Sequence, residues 1–521
     1  MRQLDNRVEW ILKRRKIAET RKLNWQSILQ KTYRLSQPNR NVFDVRSIGA
    51  GDYTIDIQGM DIQWYVFDLT LAHATDVFVN RMVNALVPAG KEWLSFQPGQ
   101  EVEDIVKDMP NVREGYQTLT KKFFSVIHQS NFQSIIHECF MDMAVSTGFL
   151  TINEGYDANT PVIFASNPPD AIYADEGVYG TFDAFYRDWN KLPVTHAEEM
   201  WPDFKVPPQV NEKGDVVLEL NLYEILYKDH KAKNYKYLVI HKETNFVCFE
   251  RTDKTSCFVG FRVKKLSGET YGRGPSMDAV SAAATINHAM YDEIVSANFS
   301  ALPMWMGFDD GVFNPHNFKM IPNTILACAG TAAGTWPLQP IPSGGSIQWG
   351  QLVIQDLRDQ INKILLTDPF GPVDDPKKTA TEIIERQRQI LENASAQFSR
   401  LQRELFDPLV ERVLDIMRKR GLWTDIEVDG KVLSIKYNTP LVTSEGQKKV
   451  LDLIQHAQFL QNIYPPEAIS GFYNTELLSP WAAEMLNIEL SVVKNTEMIM
   501  AAMEQAEEQK QVMNEQQQAQ A

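Results

Sequence analysis

The sequence predicts an α+β fold. Apolar residues recur at helical spacing near both ends of the 521-residue chain, and between them lie short β-rich segments separated by Asn, Pro, Gly and Asp. The β-rich part shows no strand–helix–strand alternation, so its strands are expected to be antiparallel and a doubly wound nucleotide fold is disfavoured.

The first element is an amphipathic helix from Arg2 to about Leu35, with Val8, Ile11 and Leu12, then Trp25, Ile28 and Leu29, at spacings of three and four. Charges fill its other face. They include the run Lys13-Arg14-Arg15-Lys16, which suits a solvated face, a phosphate backbone or an acidic partner. A Gly/Asp-rich turn near Gly49–Asp52 leads to a second helix, about Trp64 to Leu86, ending before Pro88-Ala89-Gly90. Helices at about Tyr116–Asn131 and Phe132–Thr147 follow, and Gly148 stops the latter. Strands are expected at Phe149–Asn153, Val162–Ala165, Ala171–Ala174 and Thr181–Tyr186. After a short helical piece near Thr195–Trp201, further strands fall at Val216–Tyr227, Tyr235–His241, Phe246–Arg251 and Cys257–Val263.

Gly274-Pro275 opens the next helix, Ser276 to about Ser300, with Ala279, Ala282, Ala283, Ala284, Ala289 and Ala297 on several faces. Residues 301–348 are rich in Pro, Gly and aromatics, too irregular for a helix and too apolar for a free linker. A helix at about Gln348–Leu366 sets Leu352, Val353, Leu357, Ile361, Ile364 and Leu365 on one face and Gln355, Asp356, Asp359 and Lys363 on the other. The loop Thr367–Lys378 contains Pro369, Pro372 and Pro376. A long helix then runs from Ala380 towards Arg420, with a kink or restart at Asp407-Pro408 and Gly421 as its stop. The chain closes with a strand pair (Ile426–Val428, Leu433–Tyr437) and helices at Glu445–Asn462, Pro480–Leu486 and Ser491 onward. Its Gln/Glu/Ala-rich end, Glu504–Ala521, is expected to fray.

Composition removes several classes of function. At roughly 150 residues per domain the length suggests three or four units, and 44% apolar with 23% charged residues is not the balance of a disordered chain. A net charge of −15 argues against a protein that simply coats nucleic acid. The acidity is uneven: residues 1–46 hold twelve Lys and Arg against four Asp and Glu, a net of +8 that leaves −23 on the remainder. No apolar run approaches the ~18 residues of a membrane span, and no secretory h-region follows the basic N-terminus. Cys139, Cys248, Cys257 and Cys328 are scattered without a CxxC, which suits a reducing compartment and excludes a disulfide scaffold or structural zinc cluster.

Catalytic signatures are missing. The nearest approach to a P-loop, Gly371 to Thr379, has Pro376 where a second glycine must lend its amide to phosphate. Gly272-Arg273-Gly274 lacks the third glycine of a dinucleotide fingerprint and reads as a turn into a helix. His137-Glu138 is not part of HExxH because Met141 stands in the last position, and the nine histidines do not cluster at ligand spacing. No GxSxG elbow appears. The pairs Asp309-Asp310 and Asp374-Asp375 read as solvated turns more readily than as a magnesium site. No cofactor and no metal are expected.

Several segments, in order, resemble the portal, or head-to-tail connector, protein of T7-like short-tailed bacteriophages. Leu86-Val-Pro-Ala-Gly-Lys-Glu-Trp93-Leu-Ser-Phe96 is similar to that family's segment after an early helix. Ser130-Asn-Phe132 through Ala144-Val-Ser-Thr-Gly148-Phe-Leu150 resembles the helix leading into its first wing strand. Gly268-Glu-Thr-Tyr271-Gly272-Arg273 resembles the turn before the first stem helix, and Thr379-Ala-Thr-Glu382-Ile383 through Arg386 the start of the spine helix. The correspondence is firmest between about residues 80 and 420.

The resemblance implies a portal fold assembled as a ring, typically of twelve subunits, at a capsid vertex. It makes 1–275 an α/β wing, 276–300 and 348–366 the stem helices, and 301–347 the clip where tail proteins dock. It makes 367–378 a channel loop, 379–440 the spine helix and wing return, and 441–521 a helical crown with its tail. Twelve helices about 10 Å apart form a ring roughly 38 Å across, leaving roughly 28 Å inside, wider than a duplex of about 20 Å. The implied partners are further copies of the chain, double-stranded DNA passing without sequence specificity, capsid and scaffolding proteins, terminase and tail adaptors, with no membrane. The implied location is the virion, after assembly in the host cytoplasm. Asp356 and Asp359 are candidates for a non-adhesive channel wall. Asp368, Asp374, Asp375, Lys377 and Lys378 form the candidate channel loop, with the two lysines as backbone contacts. Lys13, Arg14, Arg15 and Lys16 are a candidate basic contact surface. The readings set against a conduit are a metal-dependent nuclease or degenerate ring helicase, and a capsid scaffold or tail adaptor.

Overall fold

The computed structural model describes residues 6–40, 65–97, 110–157, 159–207, 219–301, 305–307, 338–340, 347–367, 399–423, 434–437, 450, 453–454, 456–460, 478 and 482. Where one N-terminal helix is expected there are two, α1 (Asn6–Leu23) and α2 (Gln26–Ser36). The break falls at Asn24-Trp25. There the Trp25 ring meets Tyr271 edge-on, 6.0 Å between centroids, with the Arg273 guanidinium over it. A straight helix could not both follow the sheet, as α1 does, and carry Leu29 and Tyr33 to Val145 and Met277, as α2 does.

Helix α3 (Thr70–Leu86) starts six residues later than the Trp64 expected from periodicity. Asp68 makes a turn just before it, accepting the Thr70 N–H at 3.0 Å, while its other oxygen is held by Arg358. Strand β1 spans Leu94–Gln97. Helix α4 (Pro110–Gln129) starts earlier than the expected Tyr116, with proline at its first position. Helix α5 (Phe132–Val145) stops at Val145, because Ser146 and Thr147 are recruited elsewhere. The Ser146 hydroxyl donates to the Gly272 carbonyl at 2.8 Å, and the Gly272 N–H donates to Thr147 Oγ1 at 2.9 Å. The Gly274 N–H reaches the Val145 carbonyl at 3.0 Å, and a Cβ on Gly274 would sit 2.0 Å from the Ala144 oxygen. The two glycines therefore serve a close backbone approach between the α5 end and the turn before the next long helix.

The strands β2 (Thr147–Glu154), β3 (Val162–Ser166), β4 (Ile172–Glu176), β5 (Phe182–Pro193), β6 (Glu219–Asp229), β7 (Asn234–His241), β8 (Val247–Asp253) and β9 (Phe258–Arg262) pair antiparallel throughout. They make two sheets, ordered β3-β2-β9 and β4-β5-β6-β7-β8. Helix α6 (Val194–Met200) falls where a short helical piece is expected. Strand β5 runs well past the expected Tyr186. A register shift between Trp189 and Leu192, with Lys191 at φ 51°, interrupts the alternation that would have marked its second half.

The five-stranded sheet is buried on both faces. Leu222, Leu226, Tyr237 and Val239 point into one core with Phe185, Trp189 and Phe258. Their neighbours Ile225, Tyr227, Leu238 and Ile240 point into another, against Val8, Ile11 and Ala18 of α1. Consecutive residues thus serve opposite cores, as strand geometry requires.

The largest core joins α3, α4 and α5 to three further elements, namely α7 (Pro275–Ala301), α8 (Ile347–Ile364) and the helix around Leu401–Met417. Trp93 sits within it, its ring 5.2 to 6.4 Å from those of Phe123, Phe124, Phe132 and Phe406. The irregularity expected at Asp407-Pro408 is a π-turn over Gln402–Phe406 running into α9 (Asp407–Lys419). Pro408 offers no N–H and its ring crowds the carbonyl four residues back, so the turn widens and the Asp407 N–H bonds Gln402 instead. Gly421, at φ 69°, closes the helix. Short strands β10 (Trp305–Gly307) and β11 (Leu338–Pro340) pair with each other. Strand β12 (Ser434–Tyr437) pairs with β1. Its expected partner Ile426–Val428 lies outside the described residues, as do Gly49–Asp52, most of 301–347, the loop beyond Thr367, residues 379–398 and nearly all of the C-terminal helices.

Candidate channel and contact surfaces

Helices α7 and α8 form an antiparallel hairpin. Their far ends lead to the paired strands β10 and β11, and Arg358 of α8 lies 3.9 Å from Met290 Sδ of α7. The middle of the hairpin is pinned to the body. Asn287 accepts the Phe67 N–H at 2.7 Å and donates to the Tyr65 carbonyl at 3.0 Å, and Arg358 grips Asp68 at 2.6 Å. The alanines of α7 first serve this chain: Ala279 and Ala283 are buried in its own core, and Ala282, Ala284 and Ala289 pack against that core. On α8, Ile354 and Ile361 are buried, as is Leu365 just past its end. The apolar face expected to be continuous is divided, since Leu352 (67%) and Val353 (53%) are open to solvent, as are Tyr291 and Ile294 of α7. Asp356 and Asp359 are exposed and accept hydrogen bonds from Gln360 and Gln355 of the same helix.

The basic run on α1 is split by the sheet. Arg15 turns inward, buried, onto Asp188 and Glu19, with its guanidinium 4.1 Å from the Tyr223 ring centre. Arg14 pairs with Asp175 at 2.6 Å, and Arg21 shares that carboxylate at 2.7 Å. Lys13 pairs with Glu9 one turn back at 2.7 Å, and Lys16 is exposed. Lys22 is buried, donates to the Ile172 carbonyl and lies over the Tyr173 ring. Burial pulls its ammonium down to about 7, against the opposing pull of Asp170 and Asp188. Much of the positive charge of the N-terminal segment is thus answered by acidic groups of the sheet. The channel-loop candidates Asp368, Asp374, Asp375, Lys377 and Lys378 lie outside the described residues.

Two fully buried arginines, unmarked by any sequence motif, tie the helix around 401–419 to the sheets. Arg262 of β9 holds Glu404 of the π-turn with two bonds of 2.6 and 3.1 Å, donates to the Gly180 and Thr270 carbonyls, and lies 3.5 Å from Glu176. Arg412 of α9 faces Asp253 at 3.5 Å and Asp415 at 3.8 Å. Burial alone would raise the Asp253 carboxyl, but Arg251, Arg412 and Lys419 together hold it below its ordinary value. Asp142, buried between Tyr33 and the Arg40 fork, is pushed up to about 6 by burial.

Among the described residues, no three His, Cys, Asp or Glu converge as a metal site requires. His137 bonds Asn80 at 3.1 Å, and His128 lies beside Phe124. Cys139, Cys248 and Cys257 are free and buried, and burial pushes each thiol up to about 12. No described helix is long and apolar enough to cross a membrane.

The profile of the family described as bacteriophage head to tail connecting protein matches residues 9–493. The chain belongs to that family, and is accordingly a structural component of a phage virion's head-to-tail connection. Among solved structures, a chain from the neck of an empty GTA particle, computed with C6 symmetry, aligns with 81% of this chain and 90% of its own length. The identity is 10% and the TM-score 0.32, a likeness too slight to carry an argument. A comparison with curated proteins returned no match.

Proposed function

We propose that the chain is a portal subunit of a short-tailed phage. It forms a ring of about twelve copies that admits double-stranded DNA during packaging, retains it, and releases it through the tail. The observation that carries this reading beyond family membership is the α7–α8 hairpin. A monomer has no reason to leave Val353, Tyr291 and Ile294 bare on this pair of helices, whereas a ring can cover them with the next copy. Asp356 and Asp359, on a turn of α8 that faces solvent, then suit a wall that repels phosphate and keeps a duplex hydrated as it slides. In this reading 301–347 meets tail adaptors, the loop 367–378 meets the duplex, and a separate terminase supplies the energy. Capsid and scaffolding proteins surround the wing.

Negative-stain imaging of the purified protein tests the ring, with subunits counted around a central hole. Leu352→Asp with Val353→Asp is expected to leave monomers of unchanged thermal midpoint. A wild-type protein that stays monomeric at micromolar concentration, or a double variant that still closes rings, would overturn it.

A further inference from the structure

We infer that the turn between β4 and β5 of one copy docks in a cleft between α2, α3 and α5 of the next copy in the ring. This rests on the ring reading and names one contact that would close it. The turn runs from Gly177 to Gly180 and carries Val178 and Tyr179, which are 97% and 91% exposed. They are the most open large apolar side chains among the described residues. The turn is nevertheless firmly held. The Gly177 N–H donates to the Thr181 carbonyl at 2.9 Å, and the Gly180 N–H to the Gly177 carbonyl at 3.1 Å. The buried Arg262 guanidinium donates to the Gly180 carbonyl at 3.0 Å, and Glu176 at the foot of the turn pairs with Lys265. A backbone fixed in this way has little freedom left to lose on docking. Tyrosine is also among the residues that anchor interfaces, and the Tyr179 hydroxyl makes no hydrogen bond among the described residues.

The cleft has a volume of about 700 Å³, within the ~300–1,000 Å³ of pockets that take up a compact ligand. Pro38 in the turn after α2, Leu69 and Ala72 at the start of α3, and Met141 of α5 give it an apolar lining. Asp76 and Glu138 stand among them, exposed and without an ion pair or hydrogen bond among the described residues. Both carboxylates accept hydrogen bonds, and a phenol hydroxyl donates one. Position in the fold selects a second copy as the occupant. Leu69 leads from the cleft to Phe67, whose ring lies 5.2 Å from that of Tyr291. The cleft is thus continuous with Tyr291 and Ile294, the face that the next copy covers in the proposed ring. Contacts around a closed ring are heterologous, so this side of a copy must meet an unlike surface of its neighbour. The β4–β5 turn is such a surface. It belongs to different elements from those lining the cleft, and it brings both apolar side chains and the donor that the two carboxylates lack.

The test uses the full chain with single cysteines at the two surfaces, Tyr179→Cys and Ala72→Cys, and the wild-type chain as background. Mixed and mildly oxidised, the two variants should give disulfide-linked dimers on a denaturing gel. One chain carrying both changes should give a ladder of higher bands, and neither variant alone should crosslink. In parallel, Val178→Ser with Tyr179→Ser and, separately, Ala72→Arg should each raise the concentration at which rings half-form by about tenfold, read by mass photometry. The turn and cleft changes combined should cost little more than either alone, as expected of residues in contact. Rings of wild-type affinity in both sets of variants, with no crosslink between the mixed cysteines, would overturn this contact and leave the ring standing. Dimers formed by Tyr179→Cys alone would set two turns together and overturn it equally. So would a disulfide closed within one chain of the doubly substituted variant. A wild-type chain that stays monomeric would remove the ring and this contact together.

Discussion

Arg262 makes more contacts than its place in a short strand suggests. One guanidinium joins β9, the π-turn through Glu404, the β4–β5 turn through the Gly180 carbonyl and the approach to α7 through the Thr270 carbonyl. Removing it leaves Glu404, whose side chain is 8% exposed, with only the longer pairing to Arg400 at 3.5 Å. Arg262→Met is therefore expected to cost about 3–5 kcal/mol in urea unfolding, and Arg262→Lys to recover only part of that, since an ammonium cannot serve all four sites. A loss below about 1 kcal/mol would mean that the network is solvated. Lys22 offers a pH signature. Its folded pKa, about 7, lies below the ordinary 10.5, so between these values the unfolded chain holds more protons than the folded one. Stability must then rise with pH across that window as the cost of burying the charge is relieved. Wild type should gain stability relative to Lys22→Met as pH climbs from about 7 towards 10. Parallel pH profiles for the two proteins would show that Lys22 remains charged and paired.

At the level of elements, α1 behaves as a cover for the sheet. Deleting residues 1–24 bares Tyr186, Ile225, Leu238 and Ile240, and the truncated chain is expected to bind a hydrophobic dye strongly and to aggregate. A soluble truncation with wild-type dye binding would show that the helix only adds charge. Local signals were readable in the sequence where the cause was local: Pro408 marks the irregular turn, Gly421 a helix end, and the strand segments from β2 to β9 fall near their expected places. Signals made by distant partners were not. The break at Trp25 exists because of Tyr271, the early end of α5 because Gly272 and Gly274 dock there, and β1 because Ser434–Tyr437 returns to it. The candidate residues divide the same way. The exposure of Asp356 and Asp359 follows from helix periodicity, whereas the inward turn of Arg15 depends on Asp188, 173 residues away. Arg262 and Arg412 carried no periodic or motif signal at all.

For the whole molecule, the net charge of −15 is largely that of its acidic body, with the basic segment's Arg14, Arg15 and Arg21 folded onto Asp175 and Asp188. In the proposed ring of about twelve copies that amounts to roughly −180, a field that disfavours adhesion of a passing duplex. Local cations would then matter most at the narrowest point, where Lys377 and Lys378 are the candidates. Lys377→Ala with Lys378→Ala is expected to lower the fraction of filled, stable heads severalfold in a packaging assay while rings still form. Heads filled and retained at wild-type levels would remove these lysines from the contact.

The buried thiols bear on how a virion component withstands aerated water. There an accessible cysteine would couple to its neighbours or climb the oxidation ladder. Cys139, Cys248 and Cys257 sit in cores with their thiols near 12, so at neutral pH they offer oxidants almost no thiolate and no path to one. At these three positions the subunit can stay chemically unchanged through long storage between hosts.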